Sequence, residues 1–245
     1  MILPHPREAV HKAWLYRLLA GLLDRPLISR AVVFKGGTCA AMLGWLDRFS
    51  VDLDFDLKPE ADKKKLRSEF RRLFRKSGLE IKDESRKTLQ FFLSYPSSPG
   101  QRNTIKLDII DQTAKTGLSR PYFLAEIQRY AVCQTLATMF SHKLITIQDR
   151  YGRTKSLAGR DLYDAHYFFF QGFGYRPEVI EERSSLKTKE FLMKLVDFIE
   201  KRATQTVIDQ DLNPLLPLAK FQQIRKVLKK ELLVFLVDEI KRLSL

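Results

Sequence analysis

The amino-acid sequence predicts an α+β protein, in which a mixed β-sheet flanked by helices is followed by a helical domain. Two observations support this class. Up to about residue 134, apolar runs with alternate-residue spacing are interleaved with runs of helical spacing. Beyond residue 135 the apolar residues keep helical spacing alone. We therefore expect two domains, residues 1–134 and 135–245, which is a reasonable division for a chain of 245 residues.

The elements of the first half follow from local patterns. An amphipathic helix, with Val10 among its apolar residues, should end before Pro26 and be followed by a buried strand at residues 31–34. A short helix should then begin at Thr38, whose hydroxyl suits the N-cap position. Residues 48–57, RFSVDLDFDL, alternate apolar and acidic residues and predict a strand.

Three further segments complete the first half. Between residues 59 and 78, apolar residues at helical spacing are surrounded by lysine and arginine, which predicts a basic amphipathic helix. Residues 87–96 and 103–110 resemble paired strands joined by turn residues, and residues 129–134 form a short strand. In the second half, helices are predicted at residues 136–150, ended by a loop at Gly152, at 159–172, and from 177 to the end.

Charge and composition restrict the functional classes. Lysine and arginine outnumber aspartate and glutamate by 43 to 29, a formal net charge of +14 that favours a polyanionic partner, nucleic acid first. A surface charged only for solubility is the alternative. Cys39 and Cys133 are the two cysteines, which excludes a disulfide framework and a cysteine metal site. No apolar run approaches the roughly 18 residues of a membrane span, so we expect a soluble, cytoplasmic protein with no membrane partner.

An acidic strand beside a glycine turn indicates chemistry with phosphate. Asp52, Asp54 and Asp56 occupy alternate positions of one strand, about 6.6 to 7 Å apart on one face. Such carboxylates repel each other unless a cation is bound, and oxygen ligands suit Mg²⁺. Gly36 and Gly37 precede a helix, where backbone amides can approach a phosphate. Together these features predict a site for a metal and a phosphate.

A third carboxylate could complete this site. Asp108 lies within a later apolar strand and should share a face with Lys106 and Ile110. If that strand neighbours the acidic one, Asp52, Asp54 and Asp108 can hold two metals about 3.5 to 4 Å apart. Asp56 is interpreted as a charge at the rim of the site.

These motifs resemble the nucleotidyltransferase superfamily that includes DNA polymerase β. More narrowly, FKGGT with RFSVDLDFDL, followed by HKLITIQDR and GRDLYD, resembles the AbiEii/AbiGii toxin family of bacterial abortive-infection and toxin–antitoxin systems. The resemblance covers residues 31–170 and implies a nucleotidyltransferase-type sheet.

The family resemblance also implies roles for individual residues. It implies that phosphate is contacted by Gly36, Gly37, Thr38 and Ser50. Asp52 and Asp54 would bind metal, with Asp108 as the further ligand. Lys143 would meet the triphosphate, and Asp161 of RDLYD would be an essential acid. Family members transfer nucleotides from an NTP to RNA, in characterised cases tRNA, which stops translation, and a cognate antitoxin is a possible partner.

Simpler interpretations remain open for each feature. The glycines can form a plain turn, and the aspartates can be the solvated face of an edge strand. Lys143 can be a surface lysine, and Arg160 with Asp164 can form a surface ion pair. Two other functions also remain: transfer of a nucleotide onto a protein hydroxyl, and non-catalytic binding of RNA or a partner through the basic surface.

Overall fold

The computed structural model describes residues 1–111 and 114–244. The chain divides into two compact units. The first comprises Met1–Thr113 and Ser119–Gln134, and the second Ala114–Leu118 and Thr135–Leu245. The α+β class, with a mixed sheet followed by helices, is confirmed. The sequence-based domain boundary after residue 134 stays a prediction, and residues 114–118 group with the second unit.

A mixed β-sheet is the centre of the first unit. In the described part of the chain its order is β3-β4-β5-β2-β1-β7-β6. Strands β2 and β5 are parallel, as are β1 and β7, and the other neighbours are antiparallel. The strands are β1 (Val32–Lys35), β2 (Leu53–Leu57), β3 (Glu80–Glu84), β4 (Leu89–Ser94), β5 (Thr104–Asp111), β6 (Ser119–Leu124) and β7 (Arg129–Gln134).

Helices of the first unit pack against this sheet. They are α1 (Ala9–Leu23), α2 (Pro26–Ser29), α3 (Gly36–Met42) and α4 (Lys63–Lys76), with 3-10 turns at Pro6–Glu8 and Ala125–Ile127. The rings of Phe70 and Phe74 in α4 pack 5.7 and 5.1 Å from the ring of Phe91 in β4. Phe91 is paired in register with the buried Leu107 of β5. Because alternate residues point to opposite faces, the acidic positions of β2 and β5 lie on the other face.

Several predicted elements of the first unit differ from the structure. The short helix α3 begins at Gly36 rather than Thr38, and Lys35 occupies the N-cap position. Val10 is 44% exposed, because the buried face of α1 is formed by other residues, among them Leu15 and Leu18. Strands β3 and β6 were not predicted, because both are edge strands with mostly exposed residues and β6 contains Pro121.

All the secondary structure described for the second unit is helical. Thr135 caps α5, since its hydroxyl accepts a hydrogen bond from the Thr138 backbone N–H. The predicted break at Gly152 is wrong: α5 continues to Thr154 and ends at Lys155, which has a left-handed φ of 56°. The helices are α5 (Leu136–Thr154), α6 (Gly159–Phe170), α7 (Pro177–Ser184), α8 (Thr188–Arg202), α9 (Gln205–Leu212), α10 (Leu218–Ile224) and α11 (Leu228–Arg242). Within the described ranges, no helix combines the length and apolar character needed to cross a membrane.

Candidate active site

Strand pairing places Asp54 and Asp108 side by side. Parallel strands β2 and β5 are aligned so that these two residues are direct partners across the strands. Lys35, the last residue of β1, is the partner of Asp54 on its other side. Directly paired residues project to the same face, so a cation and two carboxylates follow one another across the sheet. The sequence-based condition that the two acidic strands be neighbours is therefore met.

Asp108 has one occupied carboxylate oxygen and one without a partner. Its Oδ2 accepts hydrogen bonds from Lys106 Nζ at 2.6 Å and from Gln90 Nε2 at 3.1 Å. Its Oδ1 is buried and has no hydrogen-bond partner. An unsatisfied buried carboxylate oxygen costs free energy in the absence of a ligand, so this atom is suited to coordinate a cation.

Asp56 is not at the rim of the site, and that interpretation was wrong. Its side chain is only 5% exposed. The Lys35 ammonium lies 2.5 Å from Asp56 Oδ1, and Gln134 Nε2 donates to Oδ2 at 2.6 Å. Lys35 thus neutralises the charge of Asp56, and both of its oxygens are hydrogen-bonded within the protein, which explains how a third like charge is tolerated on this strand.

The two glycines of α3 are in close contact with site residues. Gly36 has a φ of +80°, and a Cβ at this position would lie 2.5 Å from Asp54 Oδ2. A Cβ on Gly37 would lie 2.9 Å from Ser50 Oγ and 3.0 Å from Arg48 Nη2. A side chain at either position would displace a polar group of the site, so the close approach explains both glycines.

Asp52 lies just before β2, in a segment without strand pairing. The predicted strand therefore begins later than expected, at Leu53. The Thr38 hydroxyl donates a hydrogen bond of 2.5 Å to the backbone carbonyl of Asp52. Thr38 is fully buried, so in this structure its hydroxyl holds the backbone near the acidic strand rather than capping the helix.

The acidic residues have the chemistry expected for a divalent cation. In residues 1–111 and 114–244, no three histidine, cysteine, aspartate or glutamate side chains are close enough together to hold a metal ion. Asp54 and Asp108 are brought to paired positions, whereas Asp52 lies outside the strand. The unsatisfied Oδ1 of Asp108 suits Mg²⁺. This ion takes few protein ligands and completes its shell with water and phosphate. The two paired carboxylates thus fit an ion that needs few protein ligands, and the three-carboxylate cluster stays a prediction.

A second acidic cluster lies within the helical unit. Lys143 Nζ on α5 is 2.6 Å from Asp164 Oδ2 and 3.9 Å from Asp161 Oδ1, both on α6. Arg150 Nε donates to Asp161 Oδ2 at 2.7 Å. The Asp161 and Asp164 side chains are 2% and 0% exposed. The alternative of a surface pair between Arg160 and Asp164 is therefore wrong, and Lys143, 15% exposed, is not an ordinary surface lysine.

Some residues around these clusters were not identified from the sequence. Lys35 had a visible signal, since it directly precedes the glycine pair. Asp164 also had one, because it follows Asp161 by three residues and shares a helix face with it. Arg48 is 3% exposed and borders Gly37, but no local pattern indicates a buried arginine.

Comparison with known proteins defines the class of this chain. A sequence model of the nucleotidyl transferase AbiEii toxin family, from type IV toxin–antitoxin systems, matches residues 17–231. The chain therefore belongs to the AbiEii family of nucleotidyltransferase toxins. Its resemblance to that family, first seen in the glycine and acidic motifs, is confirmed.

Solved structures share the fold at low sequence identity. The crystal structure of JHP933 from Helicobacter pylori is 19% identical, with a TM-score of 0.59 over 99% of this chain and 95% of that one. MenT4, a nucleotidyltransferase toxin from Mycobacterium tuberculosis H37Rv, is 19% identical, with a TM-score of 0.52 over 96% of this chain and 87% of that one. No curated protein matches the sequence.

Proposed function

We propose that this nucleotidyltransferase uses Mg²⁺ to move a nucleoside monophosphate from an NTP to the 3′ hydroxyl of an RNA, with tRNA as the acceptor. The observation that carries the proposal is the pairing of Asp54 with Asp108, whose Oδ1 is buried without a partner. The glycine turn borders Asp54 directly, as a phosphate site beside a metal requires.

Three aspartates have defined tasks in this reaction. Asp52 and Asp54 supply metal ligands, and Asp108 completes the site and accepts the proton of the attacking hydroxyl. Mg²⁺, bound as one or two ions, would supply electrostatic stabilisation of the α-phosphate and of the leaving pyrophosphate. The RNA 3′ oxygen forms a bond to the α-phosphorus as the bond to pyrophosphate breaks. Gln90 and Lys106 keep Asp108 in orientation through its Oδ2.

The remaining roles come from the family resemblance. Gly36 and Gly37 present backbone to the triphosphate, with Thr38 and Ser50 beside them. Lys143 contacts the triphosphate, and Asp161 is the acid of the later motif. Lys143 is oriented by Asp164, because their charged atoms are 2.6 Å apart.

A cationic helix supports an RNA acceptor. Helix α4 buries its apolar residues and exposes lysine and arginine along its other side. Some of these cations are partly neutralised, since Arg67 and Arg71 both pair with Glu84. The overall charge of +14 still favours a polyanion, and residues 63–87 are the proposed surface for the RNA backbone. Modification of tRNA would stop translation in the cytoplasm, and a cognate antitoxin would prevent this.

The direct test is incubation of the protein with Mg²⁺, purified tRNA and each labelled NTP in turn. We expect label in the tRNA with the wild type and none with Asp54→Asn. Asp111→Asn is the matched control, because Asp111 is an exposed residue of the same acidic strand pair and binds Lys63. Label on protein instead of RNA would favour transfer onto a protein hydroxyl. Transfer by Asp54→Asn at the wild-type rate would contradict the proposal.

A further inference from the structure

The backbone that carries Asp52 is held by buried side chains rather than by strand hydrogen bonds. Residues 49–52 lie outside any helix or strand. Irregular backbone is normally mobile unless its polar groups are satisfied, so a metal ligand in such a segment needs another source of rigidity. Three of its carbonyl groups accept hydrogen bonds from side chains.

The donors come from three different parts of the first unit. The Thr38 hydroxyl in α3 donates to the carbonyl of Asp52 at 2.5 Å. His11 in α1 has its Nε2 3.0 Å from the carbonyl of Val51. Because a carbonyl can only accept, Nε2 carries the proton in this contact. Arg48 donates from Nη1 to the carbonyl of Phe49 at 2.9 Å.

All three donors are inaccessible to solvent. Thr38 is 0% exposed, His11 1% and Arg48 3%. Buried polar side chains are costly unless their hydrogen bonds are made, so these contacts are strongly specified. The ring of His11 is itself fixed, since Nδ1 lies 2.7 Å from the Tyr95 hydroxyl and the ring packs edge-on against Phe49.

We propose that His11 and Thr38 are positioning residues for nucleotidyl transfer, which hold the Val51 and Asp52 carbonyls so that the Asp52 carboxylate is fixed for metal binding. The inference rests on the proposed metal-ligand role of Asp52. Neither side chain needs to touch the metal or the nucleotide. Their effect is to orient a ligand, in the way that outer-shell partners commonly change metal affinity by about 10- to 100-fold.

The chain offers conservative and disruptive variants at both positions. His11→Gln keeps a side-chain N–H of similar reach, whereas His11→Leu is similar in size and has no donor. Thr38→Ser keeps the hydroxyl, whereas Thr38→Val replaces it with a methyl group of nearly the same volume. A side chain that only fills space would leave Mn²⁺ affinity unchanged in every folded variant, whereas a positioning role makes Mn²⁺ affinity depend on the presence of the hydrogen-bond donor.

The test measures Mn²⁺ binding by electron paramagnetic resonance, together with amide hydrogen exchange of residues 48–53 in metal-free protein. His11→Leu and Thr38→Val should weaken Mn²⁺ binding about 10-fold and speed exchange in the segment, while His11→Gln and Thr38→Ser stay within about 3-fold of the wild type. Circular dichroism establishes that each variant is folded. If His11→Leu does not fold, the Thr38 pair decides the question.

Asp52→Asn separates the two ways in which this account can fail. If Asp52→Asn loses Mn²⁺ binding but all four His11 and Thr38 variants bind like the wild type, the positioning role is overturned and the metal site stands. Equal losses in the conservative and disruptive variants also overturn it. If Asp52→Asn itself binds Mn²⁺ normally, the proposed role of Asp52 is wrong and the positioning role fails with it.

Discussion

Acidic side chains form a group in each unit of this protein, and the two groups are neutralised differently. In the helical unit, the carboxylates of Asp161 and Asp164 are buried and lie against the cationic groups of Lys143 and Arg150. In the sheet unit, Asp54 and Asp108 are adjacent, and Asp108 keeps one buried oxygen without a partner. A carboxylate whose oxygens are both bound by internal donors gains little from a metal, whereas a buried oxygen without a hydrogen-bond partner, such as Asp108 Oδ1, gains much.

The same contrast occurs within a single strand of the sheet. Asp56 has both oxygens bound, by Lys35 and Gln134. Asp54, two residues earlier, is bordered by Gly36 and paired across the strands with Asp108. Asp56 therefore resembles the helical cluster in its electrostatics and is a structural residue. We expect variants at these two positions to separate activity from stability.

The largest expected effect is on activity at Asp108. Asp108→Asn keeps the shape of the side chain but removes its charge, so transfer should fall about 1,000-fold or more. The free energy of unfolding should change little, because the relief of repulsion with Asp54 offsets the loss of the ion pair with Lys106. Labelled-nucleotide transfer and urea unfolding measure the two quantities. A stable Asp108→Asn protein with wild-type transfer would remove Asp108 from the site.

The next effect is on stability in the helical unit. Lys143→Met removes a cation that lies 2.6 Å from the fully buried Asp164 carboxylate, which should lower the free energy of unfolding by about 3 kcal/mol. Lys143→Met combined with Asp164→Asn should recover much of this loss, because the buried charge is removed as well. Urea unfolding of the wild type, both single variants and the double variant gives the coupling energy. Strictly additive losses would show that the two charges do not stabilise each other.

A glycine substitution tests the contact between the turn and the acidic face. Gly36→Ala should reduce transfer about 100-fold, because its Cβ would lie 2.5 Å from Asp54 Oδ2 and displace that ligand. Gly44→Ala is the matched control, since Gly44 has a similar φ of +74° but no atom within 4 Å of its Cβ position. Both substitutions cost about 1 to 2 kcal/mol of backbone strain. Equal loss of transfer in the two variants would mean that strain alone is responsible.

The remaining effect is a pH dependence that originates at His11. Burial, offset in part by the hydrogen bond to Val51, lowers the pKa of His11 from 6.5 to about 4 in the folded protein. As pH falls from 6.5 to 4 the unfolded chain binds the proton first, so stability decreases over this range, by up to about 3 kcal/mol, and does not depend on this group above pH 6.5.

His11→Gln provides the comparison for that measurement, because glutamine does not titrate in this range. The difference in unfolding free energy between wild type and His11→Gln, measured in urea at pH 7.5 and at pH 4.5, should change in favour of the variant at the lower pH. A difference that is the same at both pH values would show that the imidazole is protonated equally in the folded and unfolded states.

Local sequence patterns predicted much of this site and missed its supporting contacts. Alternation along RFSVDLDFDL correctly put Asp54 on a polar face, and an apolar strand around Asp108 was visible as well. Alternation cannot show which strand pairs with which, so the role of Lys35 beside Asp56 was missed and Asp56 was misinterpreted. Such cross-strand contacts depend on register, which is fixed by tertiary packing.

The contacts to the Asp52 segment were missed for a related reason. The sequence position of Thr38 favours a helix cap, which is a local interaction. In the structure the Thr38 hydroxyl reaches the carbonyl of Asp52, 14 residues away along the chain. Helical spacing favours Val10 rather than its neighbour His11 for the buried face of this helix, so the burial of His11 was not predicted. Long-range hydrogen bonds from buried polar side chains leave no periodic signal in a sequence.

The most direct test of the central claim is Mn²⁺ binding, measured by electron paramagnetic resonance, to three proteins: the wild type, Asp108→Asn and Asp164→Asn. If the sheet carboxylates form the metal site and the helical cluster is balanced internally, Asp108→Asn should lose binding and a folded Asp164→Asn should retain it. Retention of full Mn²⁺ affinity by Asp108→Asn would contradict the account.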